Sequence, residues 1–242
     1  MLEDFHAQPA RDRVIVALDC DAATALCLAV QLRGHAKWLK VGMTLYYAEG
    51  PKIVQTFKQI GFNVFLDLKF HDIPHQVEGA AASAVLSGAD MLTMHAVGGS
   101  AMMAAGHRGA EAAAFERKVP VPATLAITVL TSMDAESLAA TGVSRALPEQ
   151  VSALAVQARE AGLSGIVCSP QEASSMRELL GPDAFIVTPG VRPAGSAKGD
   201  QSRVATPAQA FENGASHIVV GRPITQAEDP VAAFEAITAE LA

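Results

Sequence analysis

Cysteine is scarce in this chain of 242 residues: Cys20, Cys27 and Cys168 are the full set, and none forms a Cys-x-x-Cys pair. An odd, dispersed set of this kind excludes a disulfide framework and a thiolate metal cluster. The expectation is three small buried hydrophobes in a reducing compartment, the cytoplasm. Basic charge is also in deficit. Lys and Arg total 18 against 25 Asp and Glu, for a net charge of −7, and no basic run occurs. A surface that grips nucleic acid through its phosphates needs the opposite balance, so nucleic acid is excluded as a partner. No uninterrupted apolar run reaches the roughly 18 residues of a membrane span. The first residues, MLEDFHAQPARDR, are polar and lack the apolar centre of a secretory signal. His6, His35, His75, His107 and His217 show no metal-ligand spacing with one another, and no metal site is expected. Aromatic residues make up 5% and charged residues 18% of the chain, whereas half of it is hydrophobic. That composition supports a large alanine-rich core.

What the chain does have is an alternation. Short apolar runs at 14–19, 38–42, 63–69, 91–96, 123–130, 165–169, 184–190 and 217–221 read as strands. Longer amphipathic stretches fill most of the gaps, such as 22–33, 50–61 and 76–89. Strands alternating with helices imply parallel pairing and crossover connections. Eight such units within this length predict an α/β fold, a (β/α)8 barrel of the TIM type, as a single domain over residues 1–242.

One strand carries charge where apolar residues are expected. In FLDLKFHDIPHQV, residues 65–77, alternation sends Val64, Leu66, Leu68 and Phe70 to one face and Phe65, Asp67 and Lys69 to the other. In a barrel the second face points inward, and its C-terminal end opens on the active-site mouth. Asp72 follows in the loop before Pro74. Asp19 ends the first strand in phase with Ile15 and Ala17, and Lys40 ends the second in phase with Trp38. Taken singly, each charge could be a solvated strand end or part of a structural ion pair. Together, on three consecutive strand ends, they point to a catalytic mouth.

The far side of the predicted barrel supplies a second signal. Arg192 follows the seventh strand, and Gly221 and Arg222 follow the eighth. Barrels commonly hold phosphate with the loops after these two strands, where glycine admits backbone N–H groups and arginine offers a bidentate fork. The loop GVRPAGSAKGDQSR, 190–203, reads either as a solvent-exposed connector or as a lid. His71 is expected to turn outward, and His95 to be either a pocket residue or a hydrogen-bonded core histidine.

The strings ALD (17–19), KVG (40–42), DLKFHDIP (67–74), HAVGG (95–99), VLTSM (129–133), TPGVRP (188–193) and VVGRPI (219–224) resemble the orotidine 5'-monophosphate decarboxylases across nearly the whole chain. The resemblance implies a homodimeric barrel that converts orotidine 5'-monophosphate to uridine 5'-monophosphate and CO2 in de novo pyrimidine biosynthesis, without metal or organic cofactor. Carried over by position, Lys69 would donate the proton to C6 and Asp67 would sit beside the departing carboxylate. Lys40 would complete the charged network, and Asp72 would enter it from the partner subunit. Asp19 and Lys40 would contact the ribose, and Thr131 and Ser132 the pyrimidine. Ile73 and Gln76 would lie at the shared site, and Arg192, Gln201, Gly221 and Arg222 would hold the phosphate. The family commonly continues Asp-Ile-Pro with Asn-Thr, whereas this chain has His75 and Gln76. Gln76 still donates and accepts hydrogen bonds.

Rival readings remain at this stage. Magnesium-dependent sugar-phosphate decarboxylases and hexulose-phosphate synthases of the same superfamily share Asp-x-Lys-x-x-Asp, usually without the Ile73–Pro74 continuation. A Schiff-base aldolase using Lys69 is disfavoured because Asp67 would keep that amine protonated. A barrel that binds nucleotides without turnover is the reading outside enzymology.

Overall fold

The computed structural model describes Phe5, residues 8–193 and residues 205–241. Eight strands run through it: β1 Val14–Ala17, β2 Trp38–Gly42, β3 Asn63–Phe70, β4 Met91–His95, β5 Ala123–Ile127, β6 Gly165–Val167, β7 Phe185–Thr188 and β8 His217–Val220. All pair in parallel, and β8 closes on β1 to make a barrel in simple sequential order. Helices α1 Ala22–Leu32, α2 Met43–Glu49, α3 Pro51–Ile60, α4 Pro74–Ser87, α5 Ser100–Arg117 and α6 Ala135–Ala140 occupy the first part of the chain. The rest holds α7 Leu147–Glu160, α8 Ala173–Leu180, α9 Pro207–Glu212, α10 Arg222–Thr225 and α11 Pro230–Ala239. The eight strands match the eight apolar runs of the sequence.

Period-two patterning sorts the strand residues into two cores. Ile15, Trp38, Phe65, Met91, Leu125 and Val219 fill the barrel interior. Val16, Leu39, Val64, Leu66, Ile186 and Ile218 belong to the larger core shared with the helices. Full burial of each such side chain stabilises the fold by about 1.5–3 kcal/mol, which helps offset the cost of the charges buried higher in the barrel.

The floor is aromatic. His217 stacks on Phe185 with ring centroids 5.6 Å apart and meets the edges of Trp38 and Phe5 at 5.8 Å each. Burial drives the His217 pKa down to about 3, with the positive charges of Arg13 and Lys37 adding to the effect, so the ring is neutral. Arg13 closes the floor from below, donating to the carbonyls of Ser216 and Ala215 at 2.9 and 3.0 Å.

On the outside, α4 and α5 approach backbone to backbone. A β-carbon at Gly109 of α5 would overlap the Glu78 carbonyl of α4. Glycine is what permits this approach, and it fixes the helix that begins directly after the charged end of β3.

Cys168 is buried and Cys20 half-buried, as small hydrophobes would be, but Cys27 is exposed on the outer side of α1, against the expectation of burial. Its helix presents that position to solvent, where sulfur contributes little packing. No described helix is long and apolar enough to cross a membrane.

Candidate active site

A pocket of about 570 Å³ opens at the C-terminal end of the barrel. It is lined by residues from the ends of β1, β2 and β3 on one side and from those of β5, β7 and β8 on the other. Asp19, Lys40, Asp67, Lys69, Thr131, Ser132, Arg192, Gly221 and Arg222, all expected from the sequence, share this one pocket.

Asp67 is the hub. Lys69 Nζ donates to its Oδ2 at 2.8 Å, and Lys40 Nζ lies 3.5 Å from the same oxygen. Lys40 donates in turn to Asp19 Oδ1 at 2.8 Å. The result is an alternating row of acid and base: Asp19, Lys40, Asp67, Lys69. Its inner members are shielded, since only about a tenth of the Lys40 and Asp67 side chains is exposed, against 26% for Lys69 and 64% for Asp19. Burial alone would raise the Asp67 pKa, but Lys40, Lys69 and a hydrogen bond from Thr93 outweigh it and hold the carboxyl below its usual range. Burial alone would lower the Lys40 pKa, yet Asp67 and Asp19 hold it above the ordinary lysine value. Both inner groups are therefore charged at neutral pH. A buried charge so paired is costly to uncouple, because removing one partner leaves the other without compensation.

The way Lys69 reaches the pocket differs from simple alternation. Leu66 pairs with Leu92, but Phe70 pairs with Met94, so the register between β3 and β4 slips across 67–69. Three residues of β3 stand opposite Thr93 alone, a bulge of two extra residues. Lys69 has φ +55°, the left-handed region that non-glycine residues seldom adopt. Asp67 keeps the inward phase of Phe65, and the bulge re-aims Lys69.

Glycine makes room for the row at a second point. A β-carbon at Gly42 would lie 2.9 Å from Asp19 Oδ1 and 3.1 Å from Lys40 Nζ.

Asp72, Ile73 and Gln76 lie elsewhere. All three are exposed, on the rim segment that starts α4, and none lines the pocket of its own chain. The Asp72 carboxylate accepts from the Ile73 backbone N–H at 2.7 Å. Gln201 and most of the 190–203 loop fall outside the described residues. His71 is exposed, as expected, and its ring centroid is 5.4 Å from that of His95. His95 is half-buried, and burial, with His71 and Lys69 nearby, lowers its pKa.

Sequence reasoning passed over several residues here. Thr93, Gly42, Cys20 and Gln226 lie in or directly beneath the pocket. Cys20 and Gln226 follow the first and eighth strands closely, so strand-end position was an available signal. Thr93 and Gly42 gave none, because their roles depend on register. Among the described residues, no group of three or more His, Cys, Asp or Glu side chains is gathered to hold a metal ion.

The sequence matches the model of the Orotidine 5'-phosphate decarboxylase / HUMPS family over residues 12–237. An orotidine 5'-phosphate decarboxylase of Moorella thermoacetica is 51% identical over 244 aligned residues, covering 99% of this chain and 96% of the relative. One of Cutibacterium acnes is 50% identical, covering 93% and 94%. The crystal structure of orotidine 5'-phosphate decarboxylase from Lactobacillus acidophilus superimposes with a TM-score of 0.83 at 39% identity, covering 95% of this chain and 98% of that one. A closed eight-stranded barrel, the charged row at its mouth and near-full-length identity of this order place the chain in one lineage: it belongs to the Orotidine 5'-phosphate decarboxylase / HUMPS family.

Proposed function

We propose that this chain decarboxylates orotidine 5'-monophosphate to uridine 5'-monophosphate and CO2, a cytoplasmic step of de novo pyrimidine synthesis, and does so as a homodimer. The observation that carries the reading is the carboxylate of Asp67 set between two ammonium groups in the pocket mouth.

The chemistry asks for such an arrangement. Loss of CO2 from C6 leaves an electron pair in the plane of the ring, where the π system cannot delocalise it. A fixed cation beside C6 stabilises that charge directly and then supplies the proton. Lys69, held by Asp67 but more exposed than Lys40, is the group suited to this. Asp67 faces the substrate carboxylate in this reading. Two such charges about 4 Å apart repel by roughly 4 kcal/mol at an effective dielectric near 20, and the repulsion disappears as neutral CO2 forms. Electrostatic stabilisation by Lys69 is the larger share of catalysis, and the relief of repulsion a supporting one.

Arg192, Gly221 and Arg222, which line the same pocket, are the groups suited to a 5'-phosphate, and the resemblance assigns Gln201 to the same anion. In this reading Asp19 and Lys40 contact the ribose and Thr131 and Ser132 the pyrimidine, all four being residues of the pocket lining. Phosphate binding energy, collected far from C6, then serves the chemical step.

The dimer is supported by what the rim exposes. Asp72, Ile73 and Gln76 are exposed and do not line their own pocket, and apolar residues stand bare on consecutive rim segments: Tyr47 after β2, Ile73 after β3 and Val97 after β4, at 75%, 62% and 55% exposure. A second copy would cover these groups and receive Asp72 into its own charged row.

The test is a spectrophotometric assay of the purified protein with orotidine 5'-monophosphate and excess EDTA. Loss of substrate absorbance with stoichiometric uridine 5'-monophosphate is the expected result. Turnover that requires added magnesium, or acts only on a sugar phosphate, would move the chain to the synthase branch of the family. Tight nucleotide binding with no turnover would make it a binding protein.

A further inference from the structure

Thr93 has no exposed surface and no place in the pocket lining, yet its hydroxyl touches both halves of the charged row's inner end. The Lys69 backbone N–H donates to Thr93 Oγ1 at 3.0 Å, and Thr93 Oγ1 donates to Asp67 Oδ1 at 3.0 Å. The directions follow from the chemistry of the groups. An amide N–H can only donate, and an ionised carboxylate can only accept, so the single hydroxyl proton goes to Asp67. The other carboxylate oxygen, Oδ2, is left to take Lys69 Nζ at 2.8 Å.

The same contact answers a backbone question. Lys69 stands in the left-handed region at φ +55°, a strained conformation that persists only where its surroundings enforce it. The N–H released from the ladder by the bulge would otherwise lack a strand partner, because three residues of β3 face one of β4. Thr93 is that one residue, and it substitutes a side-chain acceptor for the missing ladder bond.

We propose that Thr93 is a positioning residue for the reaction: one buried hydroxyl locks the bulge that turns the Lys69 ammonium into the pocket and fixes the rotation of the Asp67 carboxylate that holds it. The inference rests on the role proposed above for Lys69 and extends it to a residue that touches no substrate.

Thr93→Val keeps the shape and removes the hydroxyl, whereas Thr93→Ser keeps the hydroxyl and removes a methyl group. A small misplacement of a reacting group can cost up to two orders of magnitude, so Thr93→Val is expected to lower kcat by about 10- to 100-fold with KM changed less than about threefold. Thr93→Ser is expected to hold kcat within about threefold of the native protein. Assays run below the melting transition of each variant remove any simple stability effect. If Thr93→Val does not fold, Thr93→Ala against Thr93→Ser isolates the hydroxyl in the same way. Native kcat in the hydroxyl-free variant, equal loss in Thr93→Ser, or a loss carried by KM alone would overturn the proposal. Lys69→Ala is the control: if it turns over normally, the role of Lys69 falls, whereas an inactive control with a fully active Thr93→Val sinks only the inference about Thr93.

Discussion

Gly42 and Lys40 stand two residues apart on β2, and a β-carbon on the first would lie 3.1 Å from the Nζ of the second. Both neighbours of that missing carbon, Lys40 Nζ and Asp19 Oδ1, are tips of side chains, so they can yield without moving backbone. Gly42→Ala is therefore expected to fold with a stability loss at the low end of about 1–3 kcal/mol for overpacking, yet to lose at least about tenfold in kcat/KM as the ion pair is displaced. Steady-state kinetics and thermal melts on the same preparation check both halves. Unchanged kinetics would mean that the row tolerates displacement at its Asp19 end.

Arg222→Ala tests the remote anion site. Loss of one charge-assisted bidentate contact is expected to raise KM by about 10- to 100-fold and to lower kcat as well, because energy gathered at the phosphate serves the chemical step. Unchanged kcat/KM would remove Arg222 from the site.

The placement of Asp72 outside its own pocket leads to a mixing experiment. Lys69→Ala and Asp72→Ala are each expected to be nearly inactive alone. If the chain pairs as proposed, subunit exchange between them forms heterodimers in which one of the two sites has both residues, so up to about a quarter of native activity should return at equal mixing and random exchange. Demonstrated exchange with no recovery would place Asp72 within its own subunit's chemistry or outside catalysis.

The floor histidine gives a pH signature. The unfolded chain protonates His217 near its ordinary value of 6.5, whereas the folded chain resists protonation until about pH 3. Between these values the unfolded state binds more protons, so this contribution is complete above about pH 6.5 and falls as the solution is acidified. Denaturant melts from pH 7 to pH 4 should show native stability falling more steeply than that of His217→Phe; parallel curves would contradict a neutral buried ring. The Asp67 contribution has the opposite acid–base origin but the same direction, present above the ordinary aspartate range and lost only as pH falls through its lower folded value.

How much of this was readable beforehand follows from physics. Strand and helix alternation is a periodic signal, so the barrel and the inward phase of Asp67 and Lys40 could be read from side-chain parity. The charged row was visible because charge is rare on an otherwise apolar strand. The bulge at 67–69 was not, since regular alternation and a two-residue slip both leave Lys69 at the mouth. Thr93 looked like any β-branched strand residue, because its significance arises only when β4 is laid beside β3. His217 gave no warning for the same reason: Phe5, Trp38 and Phe185 come from distant parts of the chain to enclose it.

Gly109 has a reach that its distance from the charged row conceals. Any side chain there would act as a wedge between α5 and α4, levering outward the helix whose first turn carries Gln76 and whose leading loop carries Asp72. The rim can accept exchanged side chains far more readily than position 109 can accept a β-carbon, since the atoms met there are backbone. A position remote from the pocket thus holds in place the segment that frames its mouth.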